Sequence, residues 1–256
     1  MTVFDAYAQY YDLLYQDKDY QAEANFVISL VNAHAPKAKT ILELGCGTGR
    51  HAEYFVDVGY QVWGVEKSPE MIAQCQKRWL QLPKDKQQAF NPVEGDLRLI
   101  NLDQKFDVVI ALFHVISYQT ANQDIRRAFD NVRNHLKPGG LFIFDFWYGP
   151  AVLSEKPEIR VKRLENDRLK VIRIAESNLL FNENIVTVNY EIFAEDKIQS
   201  NTHVLHECHR MRYFFLPELT AYLESAQLSQ IEYMAWLTGE IPSLSTWGVY
   251  AIARLP

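Results

Sequence analysis

A glycine-rich segment between an apolar run and a helical segment constrains the fold of this chain most strongly. The segment is ELGCGTG at residues 43–49, and it overlaps the end of the apolar run at 40–44. Its glycines allow a tight turn and a close approach of the backbone to a ligand, beside the exposed N–H groups of a helix N-terminus. The spacing is G-x-G-x-G, and Arg50 stands where the third glycine of the dinucleotide fingerprint would fall. The loop therefore predicts a strand-turn-helix unit with a ligand at the turn, and it argues against NAD as that ligand.

Short apolar runs alternate with amphipathic segments between residues 40 and 147, which is the pattern of a parallel sheet covered by helices. Ser68 as N-cap and Pro69 at the first helical position begin one of these helices. The segment KPGG at 137–140 predicts the end of another, followed by a turn. The predicted strands are residues 40–44, 61–66, 88–94, 106–113 and 141–147, and the predicted helices are residues 48–58, 69–80 and 122–136.

The flanking segments have different patterns. Residues 3–15 and 19–35 have helical spacing that gathers aromatic side chains on one side, and residues 158–214 alternate apolar with polar side chains, which predicts antiparallel strands. A predicted helix at 217–226 and two predicted strands then return the chain to the α/β pattern; the strands are residues 229–237 and 246–255. We therefore divide the chain into an N-terminal helical cap (1–36), a core (37–150), an antiparallel insert (151–214) and a C-terminal completion of the core sheet (215–256).

Composition narrows the class of protein. The 256 residues carry a formal net charge of −6, which gives no basic footprint for nucleic acid. The N-terminal residues are acidic and aromatic, unlike a signal peptide, and no apolar stretch is long enough for a membrane helix. Cys46, Cys75 and Cys208 are widely separated and form no C-x-x-C pair, which favours a reducing compartment. We expect a cytoplasmic protein without a nucleic acid or membrane partner.

The motifs together resemble one enzyme family. ILELGCGTG at 41–49 resembles the nucleotide-loop motif of class I S-adenosylmethionine-dependent methyltransferases, and Glu66 ends the second strand about 20 residues beyond the first glycine. EGDLR at 94–98, FDVVI at 106–110 and LKPGGL at 136–141 resemble further motifs of that family, in the same order. The resemblance implies an α/β, Rossmann-like, doubly wound and mostly parallel seven-stranded sheet, with S-adenosyl-L-methionine as the cofactor.

The resemblance also implies which residues bind the cofactor. The carboxylate at the end of the second strand, here Glu66, takes the ribose hydroxyls, and the Asp of the third motif, here Asp96, contacts the adenine amino group. Tyr11 and Tyr15 would close over the methionine moiety or the acceptor, with simple packing as the alternative. The complete set of predicted cofactor-binding residues is Glu43, Gly45, Gly47, Gly49, Glu66, Lys67, Asp96, Leu97, Phe113, Tyr11 and Tyr15.

A narrower resemblance covers most of the chain. YDLLY at 11–15, KDY at 18–20, FHVISY at 113–118 and the β-rich insert are together similar to sugar N,N-dimethyltransferases that act on nucleotide-linked aminosugars. That family often has a His or Tyr at the last position of the third segment, here Tyr118, and a small residue at the position of His114. The resemblance implies a small-molecule methyl acceptor, with N-methylation of an amine such as a nucleotide-linked aminosugar.

His114 and Tyr118 are the candidate catalytic residues. The methyl sulfonium is already a good electrophile, so the protein has mainly to orient the acceptor and exclude water. An ammonium or hydroxyl acceptor must in addition lose a proton. Both residues follow the fourth strand at the carboxyl edge of the sheet, where ligands of such folds bind. A half-buried structural histidine is the alternative interpretation of His114.

Two further groups of side chains have weaker functional signals. His203, His206 and His209 are three residues apart on a predicted strand and point to alternating faces, so no metal site is expected. A basic run is either the solvated face of a sheet or a partner for a diphosphate-bearing substrate; its members are Arg160, Lys162, Arg163, Arg168, Lys170 and Arg173. The exposed alternation at 184–211 would suit a homodimer interface.

Other functions remain open at this point. A small-molecule O-methyltransferase would use the same cofactor site. A non-catalytic S-adenosylmethionine-binding scaffold would keep the loop and the acids but lack an acceptor pocket. An NAD-dependent oxidoreductase is opposed by Arg50 and by the Asp96 motif.

Overall fold

The computed structural model describes residues 8–256, so residues 3–7 of the first predicted helix lie outside it. Within the described residues the helices are α1 (Ala8–Leu14), α2 (Tyr20–His34), α3 (Arg50–Asp57), α4 (Pro69–Trp79), α5 (Lys84–Gln88), α6 (Asn122–His135), α7 (Gly149–Ser154) and α8 (Leu216–Ser225). The strands are β1 (Thr40–Leu44), β2 (Gln61–Glu66), β3 (Phe90–Glu94), β4 (Phe106–Ala111), β5 (Leu136–Tyr148), β6 (Arg160–Glu165), β7 (Leu169–Leu180), β8 (Ile185–Asp196), β9 (Asn201–Phe214), β10 (Ser229–Ala235) and β11 (Gly248–Arg254).

Seven strands of one branched, eleven-stranded sheet form the centre of the fold, in the order β3-β2-β1-β4-β5-β11-β10. The first five strands are parallel, and β11 runs antiparallel to both of its neighbours. Helices cover both faces, and each face has its own large apolar cluster. Burial on both faces explains why the central strands read as continuous apolar runs. The predicted doubly wound, mostly parallel α/β sheet is confirmed.

The ends of several elements differ from the sequence-based expectation. The strand predicted at 88–94 begins at Phe90, because Lys84–Gln88 forms a short helix. The strand predicted at 106–113 ends at Ala111, because Phe113 and His114 adopt left-handed backbone angles of φ +65° and +62°. The turn predicted at 137–140 lies within β5, where Gly139 has φ +78° and the pairing with β4 shifts register. Each difference comes from backbone detail that side-chain periodicity does not encode.

The antiparallel insert is present as predicted and consists of β6 to β9. It is continuous with the central sheet, because the end of β5 pairs with the end of β9 through Trp147 with Tyr213 and Tyr148 with Phe214. This junction carries the insert to the carboxyl edge of the parallel strands. Helix α1 contacts both α4 and β6, so the cap bridges the core and the insert. Among residues 8–256, no helix combines the length and apolar character needed to cross a membrane.

Candidate active site

A large cavity of about 820 Å³ opens at the carboxyl ends of the parallel strands. The segments that follow β1, β2, β3 and β4 form its floor, and residues of the cap and of the insert form its walls. Pockets of this size hold small-molecule ligands. Most of the predicted site residues line it: Tyr11, Tyr15, Gly45, Gly47, Glu66, Lys67, Asp96, Leu97, Phe113, His114 and Tyr118.

The glycine loop after β1 is shaped by backbone angles that other residues rarely adopt. Gly45 has φ +71° and Gly47 has φ +55°. A Cβ at Gly45 would lie 2.5 Å from Cγ2 of Val115, whereas a Cβ at Gly47 would meet no atom within 4 Å. Gly45 is therefore required for packing under the loop, while Gly47 borders open space in the cavity.

Glu66 joins the glycine loop to the start of α4. Its Oε2 accepts a hydrogen bond of 3.0 Å from the Gly47 N–H, and its Oε1 accepts one of 2.8 Å from the Ser68 N–H. Burial raises the pKa of the Glu66 carboxyl above its ordinary value, although these backbone hydrogen bonds favour the charged form. Each carboxylate oxygen has a second lone pair, so Glu66 can still accept hydrogen bonds from a ligand in the cavity.

Asp96, after β3, is held by two cations. Arg98 donates to Oδ1 through Nε at 2.9 Å and to Oδ2 through a terminal nitrogen, and Lys67 lies 3.1 Å from Oδ2. The hydrogen bond from Arg98 holds the pKa of the Asp96 carboxyl well below its usual range. Asp96 is therefore an ionised acceptor whose orientation is fixed by Arg98.

Two predicted cofactor residues lie beneath the cavity wall rather than on it. Gly49 is the N-cap of α3, and a Cβ there would lie 2.7 Å from the Cys75 sulfur. Glu43 is only 2% exposed, and its Oε2 has no hydrogen-bond partner. Burial, and then the charge of Glu66, raise the pKa of Glu43 to about 8. The sequence motif did not distinguish residues that line the cavity from residues that support the glycine loop from beneath.

A buried polar chain leads from Glu43 towards the cap. His51 places Nδ1 3.7 Å from Oε1 of Glu43 and Nε2 2.8 Å from Oε2 of Glu23, and Glu23 also pairs with Lys18. Burial alone would raise the pKa of Glu23, but the hydrogen bond with His51 and the Lys18 charge lower it to about 2. His51 itself lines the cavity. Sequence reasoning did not identify His51, because its partner Glu23 is distant in the chain.

The segment after β4 presents aromatic side chains to the cavity. The Phe113 ring packs edge-on against Tyr15 of the cap at 5.1 Å between centroids. The His114 backbone N–H donates to Oδ1 of Asp145 at 3.0 Å. The imidazole Nδ1 of His114 lies 2.8 Å from Oδ2 of the same carboxylate, at an angle that does not make a hydrogen bond. Asp145, on β5 and 1% exposed, therefore fixes the strained backbone of His114 and places a negative charge beside its ring.

Tyr118 ends the short 3₁₀ turn Val115–Tyr118 and contacts the insert. Its hydroxyl lies 2.8 Å from Nδ1 of His209 on β9, and Nε2 of His209 lies 2.9 Å from Oε2 of Glu207. Burial raises the pKa of the Tyr118 phenol well above its ordinary value. No sequence signal linked Tyr118 to His209, because the two are 91 residues apart.

Part of the basic run reaches the cavity. Arg160 and Arg173 line it from β6 and β7. The Arg173 guanidinium lies 4.8 Å from the centroid of the Tyr190 ring and donates a hydrogen bond of 3.2 Å to the Tyr15 hydroxyl. Lys162 instead donates to the carbonyl of Leu14, so it serves to hold the cap.

Comparison with known proteins finds one matching family and several similar enzymes. A family described as "Methyltransferase domain" matches residues 41–140. The chain is 32% identical over 151 residues to the dTDP-3-amino-3,4,6-trideoxy-α-D-glucopyranose N,N-dimethyltransferase of Streptomyces venezuelae, an alignment that covers 58% of this chain and 60% of that protein. It is 29% identical over 230 residues to the dTDP-4-amino-2,3,4,6-tetradeoxy-D-glucose N,N-dimethyltransferase of Saccharopolyspora spinosa, covering 89% of this chain and 87% of that protein.

The fold is also found in solved structures. The sugar N-methyltransferase KedS8 from Streptoalloteichus sp ATCC 53650 superposes with a TM-score of 0.82 at 23% identity, over 99% of this chain and 95% of that chain. The structure of Streptomyces venezuelae DesVI gives a TM-score of 0.80 at 24% identity, over 96% and 97%. The fold therefore recurs in these proteins over nearly the whole length of this chain.

Proposed function

We propose that the protein transfers a methyl group from S-adenosylmethionine to the amine nitrogen of a nucleotide-linked aminosugar, since residues 41–140 match a methyltransferase domain family. One observation carries the proposal: a single cavity joins the glycine loop and its two strand-end acids to a wall with a tyrosine, a histidine and two arginines. Relatives named as dTDP-aminosugar N,N-dimethyltransferases support the choice of acceptor.

The residues on the nucleotide side fit S-adenosylmethionine. Gly47 borders open space, Glu66 retains acceptor capacity, and Asp96 is ionised and held in place. We assign Glu66 to the ribose hydroxyls, Asp96 and Leu97 to the adenine, and the glycine loop with Tyr11 and Tyr15 to the methionine part. When bound, this cofactor supplies an electrophilic methyl group on a sulfonium.

The protein's own contribution is orientation, exclusion of water and removal of a proton. Tyr15 and Phe113 pack together between the cap and the β4 segment, and closing a site with apolar rings excludes water. An aminosugar enters largely as an ammonium and must lose a proton before its nitrogen can attack. We assign that proton transfer to Tyr118 or His114, which both line the cavity.

Arg160 and Arg173 suit the diphosphate of a nucleotide-linked sugar. Both residues belong to the insert and line the same cavity as the glycine loop. Arginine pairs well with phosphate oxygens because its planar fork can donate two hydrogen bonds at once. The diphosphate would then lie along the insert, with the sugar amine towards Tyr118.

Steady-state kinetics with dTDP-3-amino-3,6-dideoxy-α-D-glucopyranose, the sugar nucleotide in the name of one relative, tests this placement. Arg160→Ala should lower kcat/KM for the sugar nucleotide by about 10-fold or more, since a hydrogen bond to a charged group contributes roughly 1.5–3 kcal/mol. The matched control is Arg163→Ala, three residues along the same strand and exposed. Equal effects of the two variants would contradict the diphosphate assignment.

A further inference from the structure

Two side chains of the insert, Glu207 and His209, lie outside the residues that match the methyltransferase domain family and form a chain of contacts that begins at Tyr118. Tyr118 borders the cavity, His209 lies behind it, and Glu207 lies behind His209, with contacts of 2.8 Å and 2.9 Å between successive groups. Resting on the proposed function, we propose that Tyr118, His209 and Glu207 form a relay that carries the proton of the acceptor ammonium out of the cavity. Tyr118 is the catalytic residue of this relay, and His209 and Glu207 are positioning residues that act through it.

The hydrogen-bond partners fix the direction of the relay. An ionised carboxylate can only accept, so Nε2 of His209 donates its hydrogen to Glu207. In a neutral imidazole the other nitrogen is then an acceptor, so Nδ1 of His209 accepts from the Tyr118 hydroxyl. A phenol oxygen that donates its hydrogen can also accept through its lone pairs, and Tyr118 lines the cavity. Glu207 and His209 are two residues apart on β9, which places both side chains on the same face of the strand.

Because the Tyr118 phenol is buried, it needs His209 as a partner in order to accept a proton from the substrate. Because burial raises the pKa of the Tyr118 phenol well above its ordinary value, an isolated phenolate would not form near neutral pH. Tyr118 can take a proton from a substrate only if it gives up its own proton in the same event. His209, whose side chain is 2% exposed, is the group placed to receive that proton.

Proton transfer through the relay moves one proton from the acceptor ammonium to His209 and leaves Tyr118 unchanged. The acceptor R–NH₃⁺ passes one proton to the phenol oxygen while the phenol passes its original proton to Nδ1 of His209. The products are the neutral amine R–NH₂, an unchanged Tyr118 and an imidazolium paired with Glu207. The amine lone pair is then free to form the N–C bond with the transferred methyl group, as the S–C bond breaks.

The carboxylate of Glu207 supports a transient imidazolium on His209. The Tyr190 ring packs against His209 at 4.8 Å between centroids, and the Arg173 guanidinium, whose charge disfavours an imidazolium, lies 4.8 Å from the centroid of the Tyr190 ring. The charged and titratable groups that act on Tyr118 are Tyr190, Tyr15, Glu207 and Glu66. Glu207 is the only carboxylate among the described residues that contacts the imidazole within ion-pair distance. Its side chain is 11% exposed and borders a shallow depression on the insert, where a proton can pass to water.

The test measures kcat/KM for dTDP-3-amino-3,6-dideoxy-α-D-glucopyranose across pH in the wild-type protein and in His209→Asn. Near neutral pH the kcat/KM of the variant should be about 100-fold lower than that of the wild-type protein, which is a typical contribution of a positioned acid or base. Above the pKa of the sugar amine the acceptor is already neutral, so the loss should shrink to a few-fold. A role limited to packing would give the same loss at every pH.

Four further variants make the result decisive. Glu207→Gln should show a smaller loss of kcat/KM, with the same recovery at high pH. This variant also tests the relay independently if His209→Asn fails to fold. Tyr118→Phe should match His209→Asn, and the double variant should lose no more than either single one, because residues acting as a unit are non-additive. His203→Asn, on the same strand and exposed, is the control and should keep the wild-type rate.

The outcomes separate the relay from the proposed function. An active wild-type protein with pH-independent losses in the relay variants, or with recovery at high pH only in His114→Asn, would overturn the relay alone. A wild-type protein that binds S-adenosylhomocysteine but methylates no aminosugar would overturn the proposed function, and the relay with it.

Discussion

Three carboxylates near the glycine loop have different protonation properties because their surroundings differ. Glu43 is fully enclosed with one oxygen unpaired, Glu66 accepts two backbone N–H groups, and Asp96 is paired with Arg98 and Lys67. Burial raises the pKa of the first two, and the hydrogen bond from Arg98 lowers that of the third. These three acids, which all belong to the predicted cofactor-binding set, therefore have three different environments in the folded protein.

Glu66 is the residue on which cofactor binding should depend most. Glu66→Gln keeps the side-chain shape but removes the charge and one acceptor, so binding of S-adenosylhomocysteine should weaken by about 1.5–3 kcal/mol. Isothermal titration calorimetry measures this directly. Glu94→Gln is the matched control, because Glu94 is the register partner of Glu66 on β3 and is exposed. Unchanged affinity in Glu66→Gln would remove Glu66 from the ribose site.

Glu43 should make the stability of the protein fall as the pH rises. Its pKa is about 8 in the folded protein against an ordinary value of 4.5, so between these values the folded state holds a proton that the unfolded chain releases. The free energy of unfolding therefore decreases with rising pH across this window. Glu43→Gln lacks the titration, so its Tm relative to wild type should increase from acidic to mildly alkaline pH. Parallel Tm curves for the two proteins, measured by thermal unfolding, would show that Glu43 is already ionised in the folded state.

At the level of elements, the cap depends on a few polar contacts with the core. Asp12 of α1 accepts a hydrogen bond of 2.9 Å from the Thr48 hydroxyl in the glycine loop and pairs with Arg78 on α4. These contacts hold Tyr11 and Tyr15 against the cavity. The cap is thus attached directly to the loop that we assign to the cofactor.

Loosening the cap should weaken cofactor binding modestly. Arg78→Ala removes one partner of Asp12, and partly exposed ion pairs of this kind contribute up to about 1 kcal/mol, or roughly 5-fold in affinity. Amide hydrogen exchange in residues 8–18 should rise in parallel. Lys77→Ala changes the neighbouring basic residue on α4, which is exposed, and should alter neither quantity.

Strand and helix positions were predictable where side-chain periodicity carries the information. β1 and β2 have the predicted bounds because both faces of each are buried and sharp turns follow them. The short helix Lys84–Gln88 was not predictable, because that segment is polar and has no buried residue. The left-handed angles at Phe113 and His114 were also missed, since a backbone conformation held by Asp145 of a neighbouring strand leaves no local signal.

For the whole molecule, the strand-end residues that meet at the cavity could be predicted from the sequence, and their contacts with the insert could not. The glycine loop, Glu66 and Asp96 form a motif because they follow successive strands of one sheet, whose carboxyl ends meet at one edge. Tyr118 meets His209 only because β9 joins the end of β5 and folds the insert over that edge. Such contacts between distant segments depend on strand pairing, which a single sequence does not specify.

Methyl transfer to an amine nitrogen is tested most directly by mass spectrometry of the product. The wild-type protein would be incubated with S-adenosylmethionine and dTDP-3-amino-3,6-dideoxy-α-D-glucopyranose, with the Glu66→Gln variant in parallel. We expect a sugar nucleotide heavier by one or two methyl groups on nitrogen, formed together with S-adenosylhomocysteine and more slowly by the variant. An unchanged aminosugar, or a methyl group found on oxygen, would contradict the proposed reaction.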